Sequence, residues 1–293
     1  MRKYFLLLTI LVAGGAHAWD CAYEKDIDIT LDLAGSELLS VAAAAGDLTI
    51  TGQAGTTAAR VRGKLCVSEE EWLNEAEVHA ESGRKASIAV SLPGTGGWGF
   101  VFDRYAYVDL DIEVPADLAL DIRDSSGDVT VRGTGPVAIQ DSSGDLELED
   151  VAGGAVLKDS SGDIELRRIG GDVTVRQDSS GDIHGRDIRG SVLIEHDEGL
   201  FLFDSGYELE LVKAVLPFEL PEQTPEQTLP AQLARVGVKP EEIDYVINSH
   251  FHFDHVGGNQ YLTNATLLTS KHELRSCLVP EPFERLGYSD VSF

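Results

Sequence analysis

Four side chains that bind transition metals are crowded into residues 250–255 of this 293-residue chain, which read His-Phe-His-Phe-Asp-His. Imidazole nitrogens and carboxylate oxygens are donor atoms that zinc prefers in proteins. On a loop that leaves a strand, alternate residues face the same way, so we predict that His250 and His252 bind one ion. Asp254 and His255, after a turn, are predicted to bind a second. Two ions would make hydroxide available near neutral pH and polarise an ester or amide carbonyl.

The elements around this motif are those of an α/β unit. Residues 245–247 are an apolar run typical of a buried strand, and the Gly-Gly-Asn of residues 257–259 lets the backbone approach bound ions closely. Residues 229–236 have helical spacing and stop at Gly237. A His-rich surface loop without function is the alternative interpretation, and the strand before the motif and the glycines after it favour a metal site.

From residue 199 to about residue 272 the chain resembles the metallo-β-lactamase superfamily, and within it the N-acyl-homoserine lactonases. The matching segments are Phe-Asp-Ser-Gly at residues 203–206 and the run from Ser249 to Asn259. The resemblance implies a zinc-dependent hydrolase with an αββα sandwich and a small lactone or ester as substrate.

The same resemblance assigns roles to individual residues. His250 and His252 would bind the first zinc ion, and Asp254 and His255 the second. Asp254 would also act in catalysis by moving a proton. Asp204 would hold the metal loop without binding the ions itself.

The sequence departs from the family's pattern downstream of the metal motif. The family adds a further histidine, a bridging carboxylate and a last histidine from positions well beyond it. After His255 the sequence has only His272, beside Lys271 and Glu273, where a surface helix is the simpler interpretation. We therefore expect an incomplete zinc site in a partial α/β unit, half of an αββα sandwich, whose apolar strands lack partners.

The middle of the chain repeats the motif Asp-Ser-Ser-Gly-Asp, beginning at Asp124, Asp141, Asp159 and Asp178. Between these motifs run short segments in which apolar and polar residues alternate, which is typical of short strands. Glycine allows a positive φ in the turns, and aspartate and serine bond the turn backbone. The pattern predicts a short-repeat β-solenoid. Calcium binding by the acidic turns is the weaker alternative, because turn chemistry alone accounts for them.

Residues 20–197 resemble an adhesin-type family of exported bacterial β-solenoids, both in these repeats and in the alternating run from Val108 to Ala116. We treat residues 19–119 as a degenerate form of the repeat. The predicted organisation is a signal peptide at 1–18, a β-solenoid at 19–195 and a metallo-β-lactamase-like part at 196–293. The resemblance implies a surface or envelope ligand for the solenoid.

The N-terminus predicts export. Arg2 and Lys3 precede a short apolar run, and Ala-His-Ala at residues 16–18 is typical of a signal-peptide cleavage site, so we expect a periplasmic or secreted protein. No apolar run is long enough to span a membrane. In an oxidising compartment Cys21 and Cys66 could form a disulfide bond, or remain free. The formal net charge of −27 makes a nucleic-acid partner unfavourable.

Three hypotheses account for the whole chain. The first is a solenoid joined to part of a lactonase-like gene, which binds zinc but hydrolyses little. The second is an active exported metallo-hydrolase that takes its missing ligands from a second chain. The third is a solenoid that binds a surface ligand, with a C-terminal part that has no role.

Overall fold

The computed structural model describes residues 21–94, 104–177, 180–216, 218, 220–281, 285, 287 and 288. Within these residues the chain is mainly β and forms one sheet of eight strands and one of eleven. The predicted signal peptide and residues 178 and 179 of the fourth repeat motif lie outside the described residues.

The repeat region is a β-solenoid, as predicted. Its strands alternate between the two sheets, and each pairs in parallel with the strand one repeat away. They are β8 (Ala119–Ser126), β9 (Val129–Arg132), β10 (Val137–Gln140), β11 (Leu146–Val151), β12 (Ala155–Lys158), β13 (Ile164–Ile169), β14 (Val173–Arg176), β15 (Ile183–Ile188) and β16 (Val192–His196). Alternate side chains point between the sheets, so that Val129, Leu146 and Ile164 form one buried row. Such rows make up the main hydrophobic core.

The two aspartates of each repeat motif have different environments. The backbone N–H of Asp145 donates to Oδ1 of Asp128 at 3.0 Å, and that of Asp163 donates to Oδ1 of Asp145 at 2.9 Å. The second aspartate therefore ties neighbouring turns together. The first points inwards: Asp124 and Asp141 are only 6% and 2% exposed. The first three repeats thus each bury a carboxyl group at the corner of the solenoid.

The part before residue 119 is only partly a degenerate solenoid, which corrects the sequence interpretation. Two of its strands, β2 (Leu38–Ala45) and β3 (Leu48–Gln53), do pair in parallel with β8 and β9. The other elements are β1 (Tyr23–Asp32), β4 (Ala58–Val67), α1 (Trp72–Glu75), β5 (Glu77–Glu81), β6 (Lys85–Ser91) and β7 (Ala106–Pro115). The pairs β1–β4, β4–β7 and β5–β6 are antiparallel. At ten residues each, β1, β4 and β7 are longer than one side of the solenoid, so this part of the chain folds back on itself.

Cys21 and Cys66 form a disulfide bond, which resolves the alternative that the sequence left open. Cys21 lies just before β1, and Cys66 is buried on β4. Because β1 is the edge strand of the eight-stranded sheet, the bond anchors that edge to its neighbour. Cys277 is a free thiol.

The eleven-stranded sheet continues without a break from the solenoid into the C-terminal part. β16 pairs antiparallel with β17 (Gly199–Phe203), and β18 (Tyr245–Asn248) and β19 (Thr266–Thr269) follow in parallel. The expectation that the apolar strands of this part lack partners is therefore wrong for β17 and β18. The last solenoid strand supplies the missing neighbour, because its backbone edge is free to pair.

The C-terminal part also contains helices, and one of them covers a face of the added strands. The helices are α2 (Leu209–Val215), α3 (Leu229–Arg235), α4 (Phe253–Val256) and α5 (Lys271–Leu278). Leu233 of α3 packs with Leu202 and Val246 in a second core, which also includes Leu193 on the outer face of the solenoid. The predicted helix at 229–236 is confirmed. Within the described residues, no helix is long and apolar enough to cross a membrane.

Candidate metal centre

The predicted ligands lie just beyond the C-terminal end of β18, in the loop of residues 249–252 and on α4. Among the described residues, the structure brings His250, His252 and Asp254 together, with one donor atom of each within 4.8 Å of the other two. The rings of His250 and His252 are edge to face, with centroids 4.7 Å apart. Two imidazoles and one carboxylate suit a zinc ion and leave a fourth coordination position open.

His255 lies beside the cluster, with its ring centroid 3.9 Å from that of His250. Its Nδ1 lies 2.8 Å from Oδ2 of Asp204, and its Nε2 lies 3.5 Å from Oδ2 of Asp254. Because α4 begins at Phe253, the first turn of the helix brings Asp254 back towards the loop histidines. Asp254 therefore adjoins both the three-residue cluster and His255.

Asp204 holds the metal loop against the end of β17. Its Oδ1 accepts the backbone N–H of Ser249 at 2.8 Å, and its Oδ2 accepts the Ser249 hydroxyl at 2.7 Å. Burial raises the pKa of Asp204, but the hydrogen bonds from His255 and Ser249 outweigh burial, and the pKa is lowered from its usual value. The ionised carboxylate orients the ring of His255 so that Nε2 faces Asp254.

The two histidines beside Ser249 differ in their preference for a proton. Burial, followed by repulsion from His255 and His252, lowers the pKa of His250. The hydrogen bond to Asp204 raises the pKa of His255. Since a histidine must be neutral to bind a metal, these shifts favour His250 as a ligand, whereas protons compete more strongly with a metal for His255.

Three polar side chains that the sequence analysis did not assign support the loop. Oε1 of Glu273 on α5 accepts the backbone N–H of Phe251 at 2.7 Å. Nδ2 of Asn248 donates to the backbone oxygen of His255 at 3.2 Å, and Nδ2 of Asn259 donates to Oδ1 of Asn248 at 2.9 Å. In the sequence, the signal that could have indicated the role of Asn248 is its position directly after the predicted buried strand of residues 245–247. His272 lies exposed on α5 and outside the cluster.

Gly287 packs directly against the ring of His252. A Cβ at this position would lie 2.5 Å from Cδ2 of His252, and on the other side the ring contacts Tyr288, with ring centroids 4.7 Å apart. Gly287→Ala is therefore expected to rotate His252 out of position and weaken zinc affinity about tenfold, the scale of losses caused by disturbing metal-ligand supports. Isothermal titration with zinc measures this change.

Gly83→Ala is the matched control, because Gly83 is exposed, has no positive φ, and a Cβ there would make only an ordinary contact, 3.7 Å from the backbone oxygen of Lys85. Unchanged zinc affinity in Gly287→Ala would contradict the idea that this contact positions His252.

A groove of about 1040 Å³ opens beside the cluster. Asp204, Asp254 and His255 line one part of it, and Ala138 and Val156, on the outer face of the solenoid, line another. The solenoid therefore forms part of the wall of the space next to the candidate metal centre.

Residues 184–290 match a family model described as the metallo-beta-lactamase superfamily. An N-acyl homoserine lactonase of Bacillus cereus is 35% identical over 104 residues, which cover 29% of this chain and 42% of that protein. N-acyl homoserine lactonase AttM of Azorhizobium caulinodans is 33% identical over 63 residues, which cover 22% of this chain and 24% of that protein. The chain spans about two fifths of the length of the first of these relatives. The resemblance of the C-terminal part to this superfamily and to lactonases is confirmed.

Two kinds of solved structure are similar to different parts of the chain. An N-acyl homoserine lactone hydrolase with N-hexanoyl-L-homoserine at its catalytic metal centre is 32% identical, and the match covers 33% of this chain and 42% of that one, with a TM-score of 0.29. A candidate cell adhesion protein of Clostridium sporogenes is 14% identical, and the match covers 59% of this chain and 99% of that one, with a TM-score of 0.36.

Proposed function

We propose that this chain is an exported β-solenoid protein whose C-terminal part binds zinc through His250, His252, Asp254 and His255, without a complete hydrolytic site. The observation that carries this proposal is the convergence of His250, His252 and Asp254 within 4.8 Å, on a loop that Asp204 fastens to the neighbouring strand. The donor set fits zinc, which is the metal that the superfamily typically binds.

The residues around the cluster define what this part of the chain would contribute to hydrolysis. A zinc ion here would supply a Lewis acid that polarises a carbonyl group and makes water more acidic. The side chain of Asp254 is 51% exposed at the groove, where it could hold or deliver a proton. Asp204 would keep the ring of His255 in one orientation. Two catalytic zinc ions would take about three protein ligands each, and within the described residues these four side chains supply fewer, so the cluster favours metal binding over efficient turnover.

A second candidate function is zinc-dependent hydrolysis of a small lactone or ester. It is favoured by the relatives, which are named N-acyl homoserine lactonases, and by the groove that reaches Asp254 and His255. This function would require ligands in addition to these four side chains. The two candidates differ in what they predict for turnover by the zinc-loaded protein.

Replacing His250 with alanine tests the metal site. His250→Ala should weaken zinc binding at least about 100-fold, because it removes a direct ligand rather than a supporting contact. His272→Ala should bind zinc like the wild type, since His272 is exposed and outside the cluster. Bound metal is measured by elemental analysis after dialysis of the full chain, together with hydrolysis of a short-chain acyl lactone.

The proposal expects zinc binding with little or no lactone hydrolysis. Binding of two zinc ions together with sustained turnover that His250→Ala abolishes would overturn the incomplete-site proposal in favour of the active hydrolase. Equal zinc binding by wild type and His250→Ala would overturn both.

Export and a surface role for the solenoid belong to the same proposal. They rest on the signal-peptide pattern of residues 1–18 and on the disulfide bond between Cys21 and Cys66, which is typical of oxidising compartments. Fractionation of bacterial cells that express the chain, with N-terminal sequencing, tests export. A mature protein beginning at Trp19 outside the cytoplasm is expected, and an uncleaved cytoplasmic chain would contradict it.

A further inference from the structure

The two sheets of the molecule end at different places. The eight-stranded sheet ends at β15, whereas the eleven-stranded sheet runs on past β16 through β17, β18 and β19. Within the described residues, these three added strands have no opposing strands in the eight-stranded sheet. Adjacent strands lie about 4.8 Å apart, so the longer sheet extends beyond the shorter one by about 14 Å.

The face that these strands leave uncovered continues the core-facing surface of the solenoid. Val192 and Ile194 of β16 pack against the main core. In the antiparallel register, Phe203 lies opposite Val192, and Phe201 lies opposite Ile194. Directly opposite residues share a face of the sheet, so both phenylalanines point to the side on which the solenoid buries its core.

The same face continues across the remaining two strands. Tyr245 and Ile247 of β18 lie beside Phe201 and Phe203, and Leu268 lies beside Ile247. Thr266 completes the face, which carries no charged side chain. Phe203 is 40% exposed and Leu268 is 41% exposed. An uncharged apolar surface of this kind marks an interaction site.

We propose that a second copy of this chain covers this surface, and that the two copies are related by a twofold axis parallel to the strands. Everywhere else in the solenoid, the partner of this core-facing surface is another β-sheet. The space left by the shorter sheet is three strands wide, and the overhang of a second copy is itself a three-stranded sheet with the same apolar face. Each copy therefore fills the gap of the other, as a closed twofold interface requires.

The symmetry fixes which residues meet. β18 is the middle strand of the overhang, so Ile247 of one copy faces Ile247 of the other. β19 of each copy comes to lie beside β15 of the other, and among the described strands these are the two unpaired edges at this end of the sheets. Unpaired edges favour association, so the arrangement covers both apolar faces and both edges.

The surface is small for a dimer interface, and the chain carries a formal net charge of −27. We therefore expect a micromolar dissociation constant that decreases as salt screens the repulsion between the copies. The zinc site is not part of this surface, so dimerisation does not depend on the proposed function.

Sedimentation of the full chain over a range of concentrations tests the proposal. The wild type should form dimers, and Phe203→Asp should be a monomer because it places a charge on the covered face. Phe218→Asp is the matched control, since Phe218 is 68% exposed and lies outside this face. Far-ultraviolet circular dichroism checks that each variant is folded, and Leu268→Asp repeats the test at a second position.

Cysteine cross-linking in a Cys277→Ser background tests the geometry. Ile247→Cys should form an interchain disulfide bond on oxidation, because the two copies of this residue face each other. Leu268→Cys should not, because β19 of one copy faces β17 of the other. A wild type that stays monomeric at high micromolar concentration, open-ended assembly into fibres, or a cross-link through Leu268→Cys but not Ile247→Cys would each overturn the proposal.

Discussion

Gly144→Ala is expected to remove on the order of 4 kcal/mol of the free energy of unfolding, enough to unfold much of a marginally stable domain. Gly144 stands in the second repeat motif with φ of +137°, a conformation that is essentially restricted to glycine. A Cβ there would lie 1.9 Å from the backbone oxygen of Gly127 in the preceding turn. Because that atom belongs to the backbone, neighbouring turns would have to separate to admit a methyl group.

Gly55→Ala separates the conformational effect from the steric one. Gly55 also has a positive φ, +79°, but nothing lies within 4 Å of a Cβ there. Its replacement should cost about 1 kcal/mol, the ordinary penalty for a left-handed residue with a side chain. Urea unfolding of the full chain, followed by circular dichroism, measures both variants. Similar losses in the two would show that close stacking of the turns does not determine stability.

Raising the pH from about 4 to about 8 is expected to weaken the folded solenoid by on the order of 4 kcal/mol through Asp124 alone. Burial first, and then repulsion from Asp141, raises the pKa of Asp124 from 3.8 to about 7. Asp47 adds to the repulsion, and the backbone N–H groups of Ser125 and Ser126 oppose it only in part.

The sign of this pH effect on stability follows from whether the folded or the unfolded state binds the proton. The pKa of Asp124 is 3.8 in the unfolded chain and about 7 in the folded one, so between these values only the folded state holds the proton. The resulting stabilisation is complete below about pH 3.8 and is lost as the pH rises through about 7. Burial also raises the pKa of Asp141, which adds a loss of the same sign.

Asp124→Asn should flatten this pH dependence, because the amide carries no charge at either end of the range. Asp145→Asn is the matched control: it removes the same formal charge from an exposed turn position, and its side-chain oxygen can still accept the N–H of Asp163. Urea midpoints at several pH values compare the three proteins. An Asp124→Asn variant with the wild-type slope would contradict the prediction, and so would an equal flattening in Asp145→Asn.

The repeat motif is where sequence and structure agree most closely. Alternation of apolar residues and the fixed position of glycine are local properties, and they specified the strands β8–β16 and their turns. The N-terminal part was misjudged because β2 and β3 do continue the solenoid, whereas the direction of β1, β4 and β7 depends on pairing between distant segments. A short stretch of alternation does not distinguish a parallel neighbour from an antiparallel one.

For the candidate site, too, the sequence predicted some features and not others. The sequence alone pointed to metal-binding side-chain types at 250, 252, 254 and 255 and to Asp204 as a candidate support for their loop. The grouping of Asp254 with the two loop histidines could not, because it depends on where α4 begins. The support from Glu273 was not visible either, since it joins α5 to a loop more than 20 residues earlier in the chain.

The sequence by itself determined the chemistry of this protein: which donor atoms lie on one short loop, which turns require glycine, and which strands alternate. Those properties are encoded over a few neighbouring residues. Only the tertiary structure decided that the solenoid and the C-terminal part share one sheet, that the first aspartates of the first three repeats are buried, and that the described residues leave one apolar face uncovered. Those outcomes depend on which distant backbone edges pair and which surfaces lose contact with water. The spacing of neighbouring residues in the sequence does not predict either of these.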